Sequence, residues 1–213
     1  MKTPDEILSE LLARYPQLSA CAESLREAYQ CLVTCYEHDG ILYVCGNGGS
    51  CADSDHITGE LLKGFVSRRP LPAEECEKLQ ALAGDDGAML ASTLQCGLRA
   101  ISLNSHVALT TAVGNDLGDN LGPAQMLQAL GRPGDVFLAI STSGNARNLA
   151  LAGAVAKAKE VKVIGLTGRN GGKLRQSADI CICVPEDETY KIQELHLPVY
   201  HALCLMLESR FFA

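Results

Sequence analysis

Residues 41–60 read ILYVCGNGGSCADSDHITGE. The run Ile41–Cys45 is apolar and of β type. It breaks at Gly46-Asn47-Gly48-Gly49-Ser50. A helix-compatible segment follows, to about residue 64, with His56 and Glu60 one turn apart on one face. Strand, glycine turn and helix start form an anion cradle: the first N–H groups of a helix lack partners, and glycines let a ligand approach them. The turn is not a dinucleotide fingerprint, because Cys51 holds the third glycine position, nor a Walker loop, because no GK[ST] follows.

Further strand–turn–helix units extend from this one. Apolar runs at 98–103, 136–140, 161–166 and 180–184 read as strands, with helical segments between them. Val136–Ile140 has no polar position, as expected of a parallel strand covered on both faces. The pattern is that of an α/β three-layer sandwich around a five-stranded parallel sheet, with ligands outside the carboxyl ends of the strands. Residues 1–40 read as an N-terminal helical extension, broken at Tyr15-Pro16, that packs on the domain or on a neighbouring subunit. The second helix of the extension is expected from about Leu18 to Cys35. The domain proper is 41–213. Within it, about 72–97 reads as an inserted helical excursion, two short helices around a turn at Gly84–Gly87. A polar loop is expected over Gly114–Asn120, and the last helix from Pro185 to about Phe211.

A second cradle, Ser141-Thr142-Ser143-Gly144-Asn145, follows the third strand. Capping a helix needs one hydroxyl, and three here supply donors for a phosphate. His56 and Glu60 suit a metal pair or an acid–base pair. The last helix carries Gln193, His196 and His201. Gln193 and His201 are eight residues apart, roughly 12 Å on a straight helix. One ion held by both therefore needs a bend, for which Pro198 is placed, or a ligand from a second subunit.

Composition narrows the classes. The 213 residues are 47% hydrophobic and 20% charged, with net charge −7. There is no basic run, so nucleic acid is not expected as a ligand. No apolar run reaches membrane-spanning length, and Met1–Glu10 does not read as a signal peptide. The 10 cysteines form no CxxC pair and lie among apolar neighbours, as buried thiols of a reducing compartment do.

CGNGGS, H-x-x-x-E, VGND, STSGN, LTG-x-x-GG and IQE-x-H-x-x-x-x-H occur here in the order found in the sugar isomerase (SIS) domain family, and the chain resembles that family's phosphoheptose isomerase branch. The resemblance implies a flavodoxin-like sheet and a cytoplasmic homotetramer with sites at subunit interfaces. It also implies zinc and no nucleotide cofactor. His56, Glu60, Gln193 and His201 would be metal ligands, and Glu60 and His201 the acid–base pair. Asn47, Gly48, Gly49, Ser50, Asn115, Asp116 and Gln193 would meet the substrate, and Ser141, Thr142 and Ser143 its phosphate. The implied activity is aldose–ketose isomerisation of a phosphorylated sugar, sedoheptulose 7-phosphate to glycero-manno-heptose 7-phosphate, through an enediol. The alternative within the family is a non-catalytic sugar-phosphate sensor or protein-assembly factor, which tends to lose the acid–base residues retained here. Two positions depart from the family: Ala146 replaces a serine after SGN, and Tyr190 replaces an aspartate before the glutamine.

Overall fold

The computed structural model describes all residues, 1–213. Five strands, β1 (Leu42–Gly46), β2 (Ala100–Ser102), β3 (Val136–Ser141), β4 (Lys162–Thr167) and β5 (Ile180–Cys183), form one sheet in the order β2-β1-β3-β4-β5. Every neighbouring pair is parallel, with Leu42 opposite both Ala100 and Val136. The order reverses beside β1. That puts the topological switch point, where such sheets bind ligands, at the carboxyl ends of β1 and β3.

All of β1 and β3 is buried. Alternate side chains feed two cores, because strand side chains alternate between faces. Leu42, Val44, Val136, Leu138 and Ile164 face one side; Tyr43, Cys45, Phe137, Ala139 and Val163 face the other. The first side is covered by α1 (Pro4–Arg14), α2 (Ala22–Glu37), α3 (Gly49–Leu62) and α9 (Thr189–Phe212). The second is covered by α6 (Gly122–Leu130), α7 (Arg147–Ala158) and α8 (Gly172–Ser177). The N-terminal extension thus lies on its own domain, with Leu8, Leu11, Leu25 and Leu32 in the same core as Val199 and Leu203 of α9.

Three boundaries differ from the sequence expectation. Pro16–Cys21 is a 3-10 turn, so α2 begins at Ala22, not Leu18. The excursion, α4 (Ala73–Thr93), is two helical segments that meet at a kink, where Gly84 leaves helical geometry (φ 54°, ψ −124°). Helix α5 runs from Val107 to Asp116, so Gly114, Asn115 and Asp116 are helical and the loop starts at Leu117. An interior glycine costs a helix only about 1 kcal/mol, and the neighbouring Val113 is buried. Helix α9 starts at Thr189; Glu188, its N-cap, is extended (φ −84°, ψ 130°). From there it continues through Pro198 to Phe212.

All ten cysteines are unpaired. Burial pushes the thiols of Cys35, Cys45 and Cys204 up to about 12, so none is a ready thiolate. No helix is long and apolar enough to cross a membrane.

Candidate active site

Two groups of residues stand at opposite ends of α3. The first is the cradle at the switch point. Gly48 is the N-cap of α3, with φ 56° and ψ −122°, a conformation that needs glycine. No side chain caps that helix start, nor the start of α7 behind Ala146. The first-turn amides of α7 therefore remain for a ligand, whereas at α3 the N–H groups of Ser50 and Cys51 already donate to the carbonyls of Asn47 and Gly48, both at 3.0 Å. The two turns are joined. Asn47 and Asn148 exchange amide hydrogen bonds at 2.9 Å, and Asn104 clasps Gly46, donating to its carbonyl at 2.9 Å and accepting from its N–H at 3.2 Å. Ser141 is buried, Thr142 half-buried and Ser143 exposed, which makes a graded wall of hydroxyls. Gln193 reaches across from α9. A Cβ on Gly49 would stand 2.3 Å from its Nε2, so glycine there makes the contact space.

Beside the cradle opens a polar cleft of about 460 Å³, lined among others by Asn47, Asn104, Asp119, Asn120 and Asn148. Asn104, Asp119, Asn120 and Asn148 were not singled out from sequence. Asn104 follows β2, and Asn148 is in the first turn of α7. Placement after a strand or at a helix start was the only sequence signal for Asn104 and Asn148, while Asp119 and Asn120 belong to the polar loop expected over Gly114–Asn120. Asn115 and Asp116 bond to each other at 2.7 Å on the exposed end of α5 and do not line the cleft.

The second group lies toward the other end of α3. His56 Nε2 is 3.2 Å from Glu60 Oε1. The His201 ring of α9 stands edge-on to His56, with ring centroids 5.0 Å apart, and Phe65 flanks His201 at 5.3 Å. Glu60 Oε2 and His201 Nε2 are buried without hydrogen-bond partners. The nearest cation to Oε2, Lys63 Nζ, is 3.9 Å away. Burial lowers the His201 pKa and the neighbouring His56 lowers it further, while Glu60 pulls the other way. The net effect favours the neutral imidazole of His201. His56 Nδ1 is 3.0 Å from the Tyr200 hydroxyl, which donates to Asp53 Oδ1 at 3.2 Å. Tyr200 and Asp53 are site neighbours that no motif marked.

Of the four residues expected around a metal, the fold brings His56, Glu60 and His201 together. Gln193 lies instead at the cradle. No three His, Cys, Asp or Glu side chains converge closely enough to form a ready metal cluster. The donor chemistry nevertheless fits a borderline divalent ion: two imidazoles and a carboxylate, with two buried donor atoms unpartnered. The separation of Nε2 and Oε1, 3.2 Å, is also close to the roughly 3.3 Å between two ligands of one tetrahedral zinc.

Comparison with known proteins bears on this geometry. Family models described as "SIS domain" match residues 103–209 and 8–84. The chain is 37% identical over 193 residues to a phosphoheptose isomerase of Thiobacillus denitrificans, covering 89% of this chain and 85% of that one. It is 34% identical over 206 residues to a phosphoheptose isomerase of Helicobacter pylori, covering 97% and 94%. The solved phosphoheptose isomerase of Neisseria gonorrhoeae superposes with a TM-score of 0.74 at 31% identity over 94% of each chain.

Proposed function

The chain belongs to the SIS domain family and, within it, to the phosphoheptose isomerases, and on that premise we propose how its residues carry out the isomerisation. The enzyme is an aldose–ketose isomerase for a phosphorylated seven-carbon sugar, converting sedoheptulose 7-phosphate to glycero-manno-heptose 7-phosphate. The phosphate docks on Ser141, Thr142 and Ser143 against the open amides of α7. Asn47, Gly48, Gly49, Ser50 and Gln193 position the chain of hydroxyls. Glu60 removes the proton beside the carbonyl to give an enediol, and His201, whose neutral form is favoured, moves the proton on oxygen.

The observation that carries this assignment is the pair of buried, unpartnered atoms Glu60 Oε2 and His201 Nε2. A buried carboxylate oxygen and imidazole nitrogen without partners are costly unless a ligand uses them.

Gly49 and Glu60 are eleven residues apart along α3, roughly 16 Å. One copy's substrate-positioning glycine turn and its acid–base pair are thus a helix length apart. That separation supports a homotetramer in which the pair of one copy faces the cradle of another. His56, Glu60, Gln193 and His201 would hold a zinc ion, with Gln193 rearranged or from the second copy; when bound, zinc supplies Lewis-acid polarisation of a carbonyl oxygen. No nucleotide takes part. The same reading puts the enzyme in the cytoplasm, with a soluble sugar phosphate as its partner.

The test is incubation with sedoheptulose 7-phosphate in deuterated water. Wild-type protein incorporates solvent deuterium at the carbon next to the carbonyl, and Glu60→Gln slows both exchange and turnover by about a hundredfold or more. Undiminished exchange in Glu60→Gln rejects Glu60 as the base.

A further inference from the structure

The hydroxyl of Tyr200 has two polar neighbours, Asp53 Oδ1 at 3.2 Å and His56 Nδ1 at 3.0 Å, and one proton to give. A carboxylate accepts and cannot donate. Asp53 has no other hydrogen-bond donor, and a bond to a charged carboxylate outweighs one to a neutral imidazole, so the hydroxyl proton goes to Asp53 and the hydroxyl oxygen receives its second hydrogen bond. Only Nδ1–H of His56 is there to supply it. In the neutral ring, that leaves Nε2 without a proton. Nε2 faces Glu60 Oε1 at 3.2 Å, so two lone pairs confront each other across a gap that only a proton or a cation makes favourable.

We propose that Asp53 and Tyr200 are positioning residues that lock His56 as its Nδ1–H tautomer and present a bare Nε2, paired with Glu60, to a cation or an acidic proton. The lock belongs to the fold. Asp53 and His56 lie on α3 and Tyr200 on α9, and the rings of Tyr200 and His56 pack edge to face at 5.6 Å between centroids. Tyr200 is itself buried, 1% exposed, so its hydroxyl has little recourse to water. His56 is the more exposed member, its side chain 43% accessible. An exposed imidazole left alone samples both tautomers, so the orientation needs a device to hold it.

The value of Nε2 as a ligand rests on the isomerase reading above, whereas the tautomer does not. The test separates the two by observing the ring directly. Full-length protein stripped of metal and labelled with 15N-histidine is examined by long-range 1H–15N correlation at pH 8, above the ordinary histidine pKa. The His56 signals are identified by their loss in His56→Gln. Wild-type His56 is expected as the Nδ1–H form. Tyr200→Phe removes the acceptor and yields a tautomer mixture. Asp53→Ala frees the hydroxyl proton to point at Nδ1 and turns His56 to the Nε2–H form. A merely structural tyrosine would give no such inversion. Zinc competition against a chromophoric chelator is the second readout: Tyr200→Phe weakens binding by about ten- to a hundredfold, the usual cost of losing a residue that orients a ligand. A wild-type Nε2–H tautomer, or one unchanged in both variants, overturns the proposal whatever the chelator shows. If the tautomers shift as stated but zinc affinity does not, the lock stands and the ligand role of Nε2 falls.

Discussion

Arg69 and Glu208 form an ion pair with no solvent exposure, Nε to Oε1 2.9 Å, across 139 residues of sequence. Glu208 also accepts the backbone N–H groups of Phe65, Val66 and Ser67 at 2.8, 3.0 and 3.2 Å. Arg69 donates to the carbonyls of Leu61 and Glu60 at 2.8 and 3.1 Å and stacks on Phe212 at 4.5 Å. The pair thus satisfies the end of α3 and the loop behind it, which carries Phe65 to His201. Glu208→Gln is expected to destabilise the protein by about 3–5 kcal/mol, because Arg69 would be left as a buried, uncompensated charge. Urea unfolding at pH 7 checks this; a loss under 1 kcal/mol would show that the guanidinium finds other partners.

Acid sensitivity should divide between two groups. His196 of α9 is wholly buried, with neither ring nitrogen hydrogen-bonded. Burial lowers its pKa to about 4, and the Thr167 backbone offsets only part of that. Its unfolded value is about 6.5. Above that pH the residue is neutral in both states and adds no pH dependence. As pH falls from about 6.5 to 4 the unfolded chain takes up a proton that the folded chain refuses, which costs about 3 kcal/mol of stability. Burial raises the Glu208 carboxyl, but the Phe65 and Val66 amides and Arg69 outweigh it and hold the pKa below the ordinary value. Its contribution is present above the unfolded glutamate pKa and is lost as pH falls through the folded one. Between pH 7.5 and 4 the wild type should therefore lose about 3 kcal/mol more unfolding free energy than His196→Leu, whatever their difference at pH 7.5. Parallel curves would mean that His196 titrates normally.

How much of this was legible beforehand depended on whether a feature is local. Val136–Ile140 announced itself as a strand by lacking any polar residue, and the GNGGS and STSGN turns announced themselves by glycine and hydroxyl spacing. Those signals lie within a few residues. His56 and Glu60 were readable as a pair because one helical turn joins them. Asp53 and Tyr200 were not, because nothing in a helix sequence says which distant side chain an aspartate or tyrosine will meet until α9 packs against α3. Arg69 and Glu208 were hidden for the same reason. Gly114-Asn115-Asp116 misled in the opposite sense: its residues suit a turn, but an adjoining helix with a buried face absorbed them.

Gln193 at the cradle gives a sharper expectation than its motif did. A methyl added at Gly49 would sit 2.3 Å from Gln193 Nε2 and 3.0 Å from its Cδ, against the far end of a flexible side chain. Gly49→Ala should displace the amide without unfolding the helix start, since that position does not need a left-handed backbone. The isomerase would then lose about tenfold in kcat/KM, roughly 1.4 kcal/mol, with little change in Tm. The decisive comparison is the double variant with Gln193→Ala. If both changes act through one contact, it is no worse than Gln193→Ala alone. Additive losses would mean that Gly49 matters for its own amide.

Helix α4 should be dispensable for folding. Gly87 is its only buried residue, while Leu82 is 87% exposed and Met89 53%. Its anchors lie outside the helix or at its very end. Pro70 bridges Gln95 in antiparallel fashion, Cys96 donates its N–H to Arg69 at 2.7 Å, Arg68 reaches the Ser92 carbonyl at 3.1 Å, and Gly64 donates to Gln95 Oε1 at 2.8 Å. The two ends are therefore already side by side, and a short glycine–serine turn can replace residues 73–93 at small loop-closure cost. That deletion is expected to fold with a Tm within a few degrees of wild type. No α4 residue lines the polar cleft or touches His56, Glu60 or His201, so kcat should hold if the excursion is surface decoration. Size-exclusion chromatography with light scattering must accompany the kinetics, because Leu82 and Met89 are the apolar groups an assembly contact would use. Activity lost with the oligomer intact would make α4 a cover for the site. Loss of both together would assign those side chains to a subunit interface.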